Sequence, residues 1–381
     1  MTSANGTRSG RARILHLHAS FDREAAALRG VQLINAFGPR AEHAIVSGKP
    51  HALSATELLD AGAPVTFPSR FPALSGKRWP GRLRNLAVAM TDYDLVLTHS
   101  WDTIDAVLAH TLFQQALGLP PLVHHEEHVD ADEGARRNWL RRIALGRTAA
   151  LVVPSLRTEA LALGAWQQPR GRVVRIAPGI KTRSYSRAAN PGALAGLVKH
   201  RDEKWVGAMA PLESEEQLAR LVRAMDGLPQ EWQLVILGAG PEREAILDAA
   251  EQGESEHRVH LPGMVARTEN VIGLFDIFAR PADFGPAPVS VIEAMAAGLP
   301  LVASGAGDIG ELVAEENLAF VTPPGDEQAF AEALAQLAHE GALRGPIGRA
   351  NRVKAREQFD EKRMIERYRA LYASLIGGNR L

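Results

Sequence analysis

At 381 residues the chain exceeds the size at which a single hydrophobic core stops growing, so two domains are expected. Hydrophobic content of 46% and charged content of 23% are those of a soluble globular protein, and the lack of cysteine excludes a disulfide scaffold and thiolate catalysis. The net charge of −1 conceals an asymmetry: 21 Lys/Arg against 15 Asp/Glu give +6 over residues 1–180, and the remainder carries −7.

An excess this small does not point to nucleic acid, but it lets a basic N-terminal half lie against anionic lipid or a phosphorylated acceptor. Residues 1–12, MTSANGTRSGRA, are polar and small and read as a flexible tail without the apolar core of a signal peptide. No run reaches the eighteen or so apolar residues of a membrane span. The expected location is the cytoplasm.

Along the chain, short apolar runs bounded by Gly, Pro or Ser read as buried strands: RILHLHAS (13–20), HAIVSG (43–48), PVTFPS (64–69), DLVLTHS (94–100), PPLVHHE (120–126), ALVVPS (150–155) and RVVRIAP (172–178). A second series follows: KWVGAMA (204–210), QLVILGAG (233–240), RVHLPG (258–263), LFDIFARPA (274–282), LPLVASGAG (299–307) and LAFVTPPGD (318–326). Helical patterns such as REAAALRGVQLINAF separate most of them. Alternation of near-continuous apolar strands with helices means parallel sheets covered on both faces. Two such series predict two doubly wound domains, over 13–185 and 200–362, with KTRSYSRAANPGALAG (181–196) as the polar linker. Residues 363–381 carry Met364, Tyr368, Leu371 and Leu375 at helical spacing, an amphipathic helix expected to cross back to the first domain. Ligands of such sheets bind beyond the carboxyl ends of strands, so a cleft between two facing domains is the expected site.

Residues 285–326 resemble the retaining glycosyltransferase family four, of the two-Rossmann-domain GT-B fold. The match rests on EAMAAGLPLVASGAGDIGELV and continues through ILHLHASFDREAAALRGVQLINAF, RTAALVVPS, RIAPGI and VILGAGPEREAI, in order and at the family's spacing. The resemblance implies a sugar nucleotide held by the C-terminal domain, a glycan or lipid-linked acceptor held by the N-terminal one, transfer with retention, and no metal or other cofactor. It makes Glu293 the carboxylate that receives the donor ribose hydroxyls. Gly238, Gly240, Pro241, Val289, Ser290, Arg267 and Gly307 would complete the donor site, and Asp22, Arg23 and Glu24 the acceptor and phosphate loop. The catalytic candidates it yields are His125 and His128, in the stretch LVHHEEHVDADE, together with Asp283.

The pattern is incomplete. The family's first carboxylate falls on Gly285, with Asp283 two residues earlier. Ala208 and Ala210 stand where a basic residue is expected, Glu213 where a Lys is, and Glu24, Ala25 and Ala27 where paired glycines and a Glu are. Each charge-assisted hydrogen bond to phosphate is worth ~1.5–3 kcal/mol, so losing two weakens diphosphate binding by roughly two to four decades. Two functions therefore stand: an active glycosyltransferase of surface polysaccharide or glycolipid assembly, or a degenerate homologue that binds a glycan, a nucleotide or a partner enzyme.

Two further features keep alternative readings. His124, Glu126 and His128 share one side of an extended segment, which suits either a metal or a polar loop paired internally and with the Arg136–Arg142 run. The basic, aromatic segments ARRNWLRRIALGR (135–147) and SRFPALSGKRWPGRLR (69–84) suit either peripheral contact with the inner face of a membrane or ordinary core packing with solvated arginines.

Overall fold

The thirteen apolar runs become thirteen strands. In the computed structural model, which describes residues 10–127, 134–194, 196–213, 215–253, 255–283, 289–377 and 381, the first seven are β1 (Ala12–His18), β2 (Ala41–Ser47), β3 (Val65–Thr66), β4 (Leu95–His99), β5 (Leu122–His125), β6 (Ala150–Val153) and β7 (Val173–Arg175). They form one parallel sheet in the order β3-β2-β1-β4-β5-β6-β7. The other six are β8 (Lys204–Met209), β9 (Trp232–Leu237), β10 (Val259–Gly263), β11 (Ile277–Arg280), β12 (Leu301–Ser304) and β13 (Val321–Thr322), a parallel sheet in the order β10-β9-β8-β11-β12-β13. Burial on both faces explains why the strands read as continuous Val, Ile and Leu.

The first sheet is covered by α1 (Ala25–Phe37), α2 (Pro80–Met90), α3 (Ile104–Leu117), α4 (Ala135–Ala144) and α5 (Leu156–Leu163). The second carries α6 (Thr182–Tyr185), α7 (Glu215–Arg223), α8 (Arg243–Gln252), α9 (Val289–Ala297), α10 (Ile309–Leu312), α11 (Glu327–His339) and α12 (Gly341–Gln358), and the chain ends on α13 (Glu361–Ile376). Local chemistry sets several helix ends. Ser155 Oγ accepts from the Thr158 amide at the start of α5, Asp326 Oδ1 from the Ala329 amide at the start of α11, and the left-handed Gly118 stops α3. Both strand orders reverse after the central strand, β1 to β4 and β8 to β11. Those are the switch points at which α/β sheets bind ligands.

Two units result, Met1–Pro178 with Met364–Leu381, and Gly179–Arg363. The division falls before residue 185 because the chain binds the second unit as soon as it leaves β7. Ile180 bridges Asp360, Thr182 Oγ1 donates to Asp360 Oδ2 at 2.5 Å, and α6 packs on α9 and α12. The first strand also starts inside the expected tail, at Ala12; residues 1–9 lie outside the described residues. On α13, Met364, Tyr368 and Tyr372 are buried in the first unit's core with Ile14, Leu33 and Phe37. Leu371 and Leu375 pack at its margin.

Candidate functional site

Glu293 is the middle residue of α9, most of whose other residues are buried. Its carboxylate is held inside the second unit. Tyr185 Oη donates to Glu293 Oε1 at 2.7 Å, and Thr268 adds a side-chain hydrogen bond. Burial pushes the Glu293 carboxyl above its usual range, with Glu269 nearby adding to that, and the two hydroxyl donors pull against it. Tyr185 in turn is pushed well up, by burial first and by the adjacent Glu293 charge second. A carboxylate half-removed from water and answered, among the described residues, only by hydroxyls is a receptor for further hydroxyls.

Asp283 is engaged elsewhere. Beyond the end of β11 it accepts from Arg220 Nη1 at 2.7 Å, from Ser304 Oγ at 2.6 Å and from the Gly325 amide. Burial raises the carboxyl, but these three donors outweigh it and hold it below the ordinary range. The Arg220 and Asp283 side chains are 8% and 11% exposed. The pair therefore ties α7 to the ends of β11, β12 and β13. For Asp283 to act on a substrate this ion pair would have to open. Gly285 lies outside the described residues.

The glycine turn after β9 has a role that sequence alone did not show. A Cβ at Gly238 would collide with the Ala210 carbonyl oxygen, and one at Gly240 with the backbone of Leu212. The Ala210 amide donates to Leu237 O, the Leu212 amide to Ala239 O and the Glu242 amide to Leu212 O. The side on which a Cβ would stand is thus occupied at both glycines by the loop after β8, while Gly240 itself stays exposed. Pro241, between them and α8, is part of the same packed turn. Glu213 leaves that loop exposed, Ala208 is buried in β8, and Ala210 is half-buried.

Other expected donor residues are spread along the same unit. Val289 and Ser290 open α9, exposed and half-buried respectively. Gly307 adopts φ of 68° in the turn before α10, a conformation that suits glycine. Arg267 has a side chain 74% exposed and pairs with Glu269 at 3.1 Å, so it is a surface ion pair.

In the first unit the loop before α1 is bound to the segment that follows β2. Asp22 accepts from the Ser54 amide at 3.2 Å and hydroxyl at 2.9 Å, and these bonds lower its carboxyl. Arg23 pairs with Glu57 at 2.5 Å, with both side chains mostly in solvent, and Glu24 is the exposed residue ahead of α1. Asp22 and Arg23 brace the loop.

His125, expected as a catalytic group, is a core residue. It is 1% exposed; its Nδ1 lies 3.1 Å from Thr98 O and its Nε2 2.8 Å from Tyr372 Oη. The carbonyl can only accept, so Nδ1 carries the proton and Nε2 accepts from Tyr372. Alternation then turns His124 to the opposite face, where it meets Thr98 Oγ1 at 2.8 Å, while the buried Glu126 accepts from Arg141 Nε of α4 at 2.9 Å. His124 and Glu126 thus each have a partner within the fold, Arg141 belonging to the Arg136–Arg142 run. His128 lies outside the described residues.

Sequence reasoning missed a column of imidazoles at the end of the first sheet. His18 stacks on His99 at 4.0 Å and His99 on His125 at 4.6 Å, within 14° of parallel. Nitrogens of His16, His18 and His99 come within 4.8 Å of one another, the spacing of a possible metal triad. The geometry argues against one. A metal lies in the plane of each imidazole it binds, and these rings are parallel within 10°. Arg29 Nη2 also donates to His99 Nδ1, which leaves the proton on Nε2, the nitrogen that would have to ligate.

Comparison with known proteins adds to this geometry. Residues 203–340 match the family model described as Glycosyl transferases group 1. Among curated relatives, N-acetyl-alpha-D-glucosaminyl L-malate synthase of Bacillus anthracis is 23% identical over 42% of this chain and 41% of its own. The amylovoran biosynthesis glycosyltransferase of Erwinia amylovora is 30% identical over 40% of each. The chain thus matches about two fifths of the length of these relatives. A putative glycosyltransferase of Bacillus subtilis matches more, 24% identical over 77% of this chain and 80% of its own. Among solved structures, HepE of Anabaena in complex with UDP superposes with a TM-score of 0.78 at 19% identity, covering 95% of this chain and 100% of that one. Sucrose-phosphate synthase of Thermosynechococcus elongatus gives 0.73 at 19%, covering 95% and 99%. The fold is GT-B. Among the described residues no helix is long and apolar enough to cross a membrane.

Proposed function

We propose that the protein is a glycosyltransferase that moves a sugar from a nucleotide donor to a glycan or lipid-linked acceptor, with retention, in surface polysaccharide or glycolipid assembly. The observation that carries this reading is the half-buried Glu293 carboxylate, within the segment matching the Glycosyl transferases group 1 model and bonded by two hydroxyl donors. Ribose hydroxyls of a sugar nucleotide are chemically equivalent to the Tyr185 and Thr268 hydroxyls already there. That HepE is known in complex with UDP and with UDP-glucose makes a uridine donor the first to try. No metal or cofactor enters this reading. His125 is not part of the proposed chemistry, because both of its nitrogens are bonded within the core.

Acceptor delivery from the inner face of a membrane is part of the same proposal. On α4, Trp139 is 63% exposed, and Ile143, Arg136 and Arg142 are exposed with it. A basic helix with an exposed tryptophan suits an anionic interface.

The second reading, a homologue that binds without transferring, is favoured by the Arg220–Asp283 ion pair and the exposed Glu213. Together they leave the second unit without a free first carboxylate or a lysine at the expected positions. Calorimetric titration with UDP-, GDP- and ADP-sugars, followed by donor hydrolysis and transfer assays, separates the two. Binding with turnover supports the enzyme, binding without turnover supports the second reading, and no binding to any of them defeats the donor site.

A further inference from the structure

A cavity of about 710 Å³ lies between the segment 181–186 and the end of α12 with the start of α13, all within the second unit. Its wall carries five cations, Lys181, Arg183, Arg356, Lys362 and Arg363, each exposed. Among the described residues none of the five forms an ion pair. Arg356 donates to Ser186 Oγ and Arg363 to the Glu357 carbonyl, and Lys181, Arg183 and Lys362 have no side-chain hydrogen-bond or ion-pair partner among the described residues. Two carboxylates share the wall but do not balance it. Asp360 accepts from the Thr182 hydroxyl and the Lys362 amide, so it is committed to holding the backbone, and Glu361 is likewise engaged.

Five like charges on a concave wall repel one another, and a pocket focuses their field on whatever anion enters. The cavity falls in the size range of ligand pockets, far above what one phosphate fills. Guanidinium forks and flexible ammonium groups together suit phosphate oxygens presented in more than one direction. We propose that this pocket binds an anion carrying two or more phosphate groups, either a soluble polyphosphate-type ligand or the headgroup of an acidic phospholipid. Neither Glu293 nor Tyr185 lines the pocket, and the proposal does not depend on the protein being a transferase.

The test uses the full chain and inorganic tripolyphosphate as probe, by isothermal titration at about 0.15 M salt, with vesicles of phosphatidylcholine containing cardiolipin in a parallel sedimentation arm. The expected result is saturable one-to-one binding of tripolyphosphate, weaker binding of orthophosphate, and loss on the order of tenfold to hundredfold in Lys181→Glu/Arg183→Glu/Lys362→Glu. These three exposed side chains make no hydrogen bond or ion pair among the described residues, so the variant should melt close to the parent; Arg201→Glu, an exposed cation outside the pocket, should bind like the parent. Sedimentation with the vesicles, competed by tripolyphosphate and lost in the triple variant, assigns the lipid headgroup; tripolyphosphate binding without sedimentation assigns a soluble ligand. No saturable binding of either probe, or equal affinity of the triple variant and the parent, overturns the proposal. The triple variant should keep the parent's affinity for sugar nucleotides, so the pocket and the donor site fail separately.

Discussion

The hydroxyl of Tyr185 and the carboxylate of Glu293, 108 positions apart in the chain, share a 2.7 Å hydrogen bond inside the second unit. Tyr185 therefore already supplies one of the hydroxyl donors that a ribose would bring. If ribose hydroxyls displace it, removing the internal donor lifts a competitor worth ~0.5–1.5 kcal/mol. Tyr185→Phe should then tighten UDP-sugar binding about two- to tenfold, measured calorimetrically. Weaker binding would show instead that Tyr185 orients Glu293 for the ligand.

Glu293→Gln gives a paired expectation. The charged acceptor is lost, so sugar-nucleotide affinity should fall by ~1–3 kcal/mol. Stability should move the other way. The folded carboxyl titrates above its unfolded value, so its contribution to stability is complete below the unfolded pKa and is lost as pH rises through the folded one. At neutral pH the ionised Glu293 costs stability that Gln does not, and the variant should gain ~0.5–2 kcal/mol in urea unfolding. A variant both more stable and unable to bind marks a functional carboxylate. Unchanged nucleotide affinity removes Glu293 from the donor site.

The fold was legible because both sheets are buried on both faces, so each strand announced itself as an apolar run; all thirteen runs became strands. The site was less legible, for three physical reasons. LVHHEEHVDADE marks a strand end, but only the packing of α13 shows that Tyr372 takes up His125 Nε2. The glycines of VILGAGPER suggest close approach of a ligand, whereas the close approach seen at their Cβ side is that of the Ala210 and Leu212 backbone, which no local spacing announces. And the partner of Asp283 is Arg220, 63 residues away, which no local spacing reveals.

The histidine column makes stability depend on pH. Burial lowers His18 to about 3 and His43 to about 4, and holds His16, His99 and His125 well down. The unfolded chain binds protons near pH 6.5 that the folded chain refuses until much lower pH. Unfolding free energy should therefore fall as pH drops from 6.5 towards 4, by on the order of 2 kcal/mol per such histidine at pH 5. His18 is the place to check this, because neither of its ring nitrogens has a partner among the described residues. His18→Phe keeps a ring in the stack and should recover on the order of 1–2 kcal/mol at pH 5 and little at pH 8. Parallel losses in parent and variant between those pH values would place the acid sensitivity elsewhere.

The Arg220–Asp283 pair distinguishes structure from chemistry. Removing one partner of a buried ion pair leaves the other uncompensated, so Asp283→Ala and Arg220→Met should each cost about 3 kcal/mol. The double variant should cost much less than their sum in a double-mutant cycle. Additive losses would mean the two do not depend on each other. If Asp283 instead stands in for the carboxylate absent at Gly285, Asp283→Asn should abolish transfer while binding of the donor and most of the stability survive.

The loop after β8 carries the test between an active enzyme and a degenerate one. Glu213 projects exposed from it, at the position where the resemblance puts a lysine against the donor diphosphate. If the loop approaches the phosphates, a carboxylate there opposes them, and reversing the charge in Glu213→Lys should tighten sugar-nucleotide binding tenfold or more, about 1.4 kcal/mol. Ala210→Arg is the natural companion, but Ala210 is half-buried with its carbonyl against Gly238, so that substitution belongs on the Glu213→Lys background with melting followed in parallel. A degenerate protein should show negligible wild-type hydrolysis and acquire binding only on reversal. An active enzyme should turn over without it, holding its phosphates through other groups. Of those, Arg267 has, among the described residues, only a surface pairing with Glu269 to give up. Transfer by the wild type that disappears in Arg267→Ala would therefore defeat the degenerate reading, and tight nucleotide binding indifferent to the charge at 213 would remove this loop from the donor site altogether.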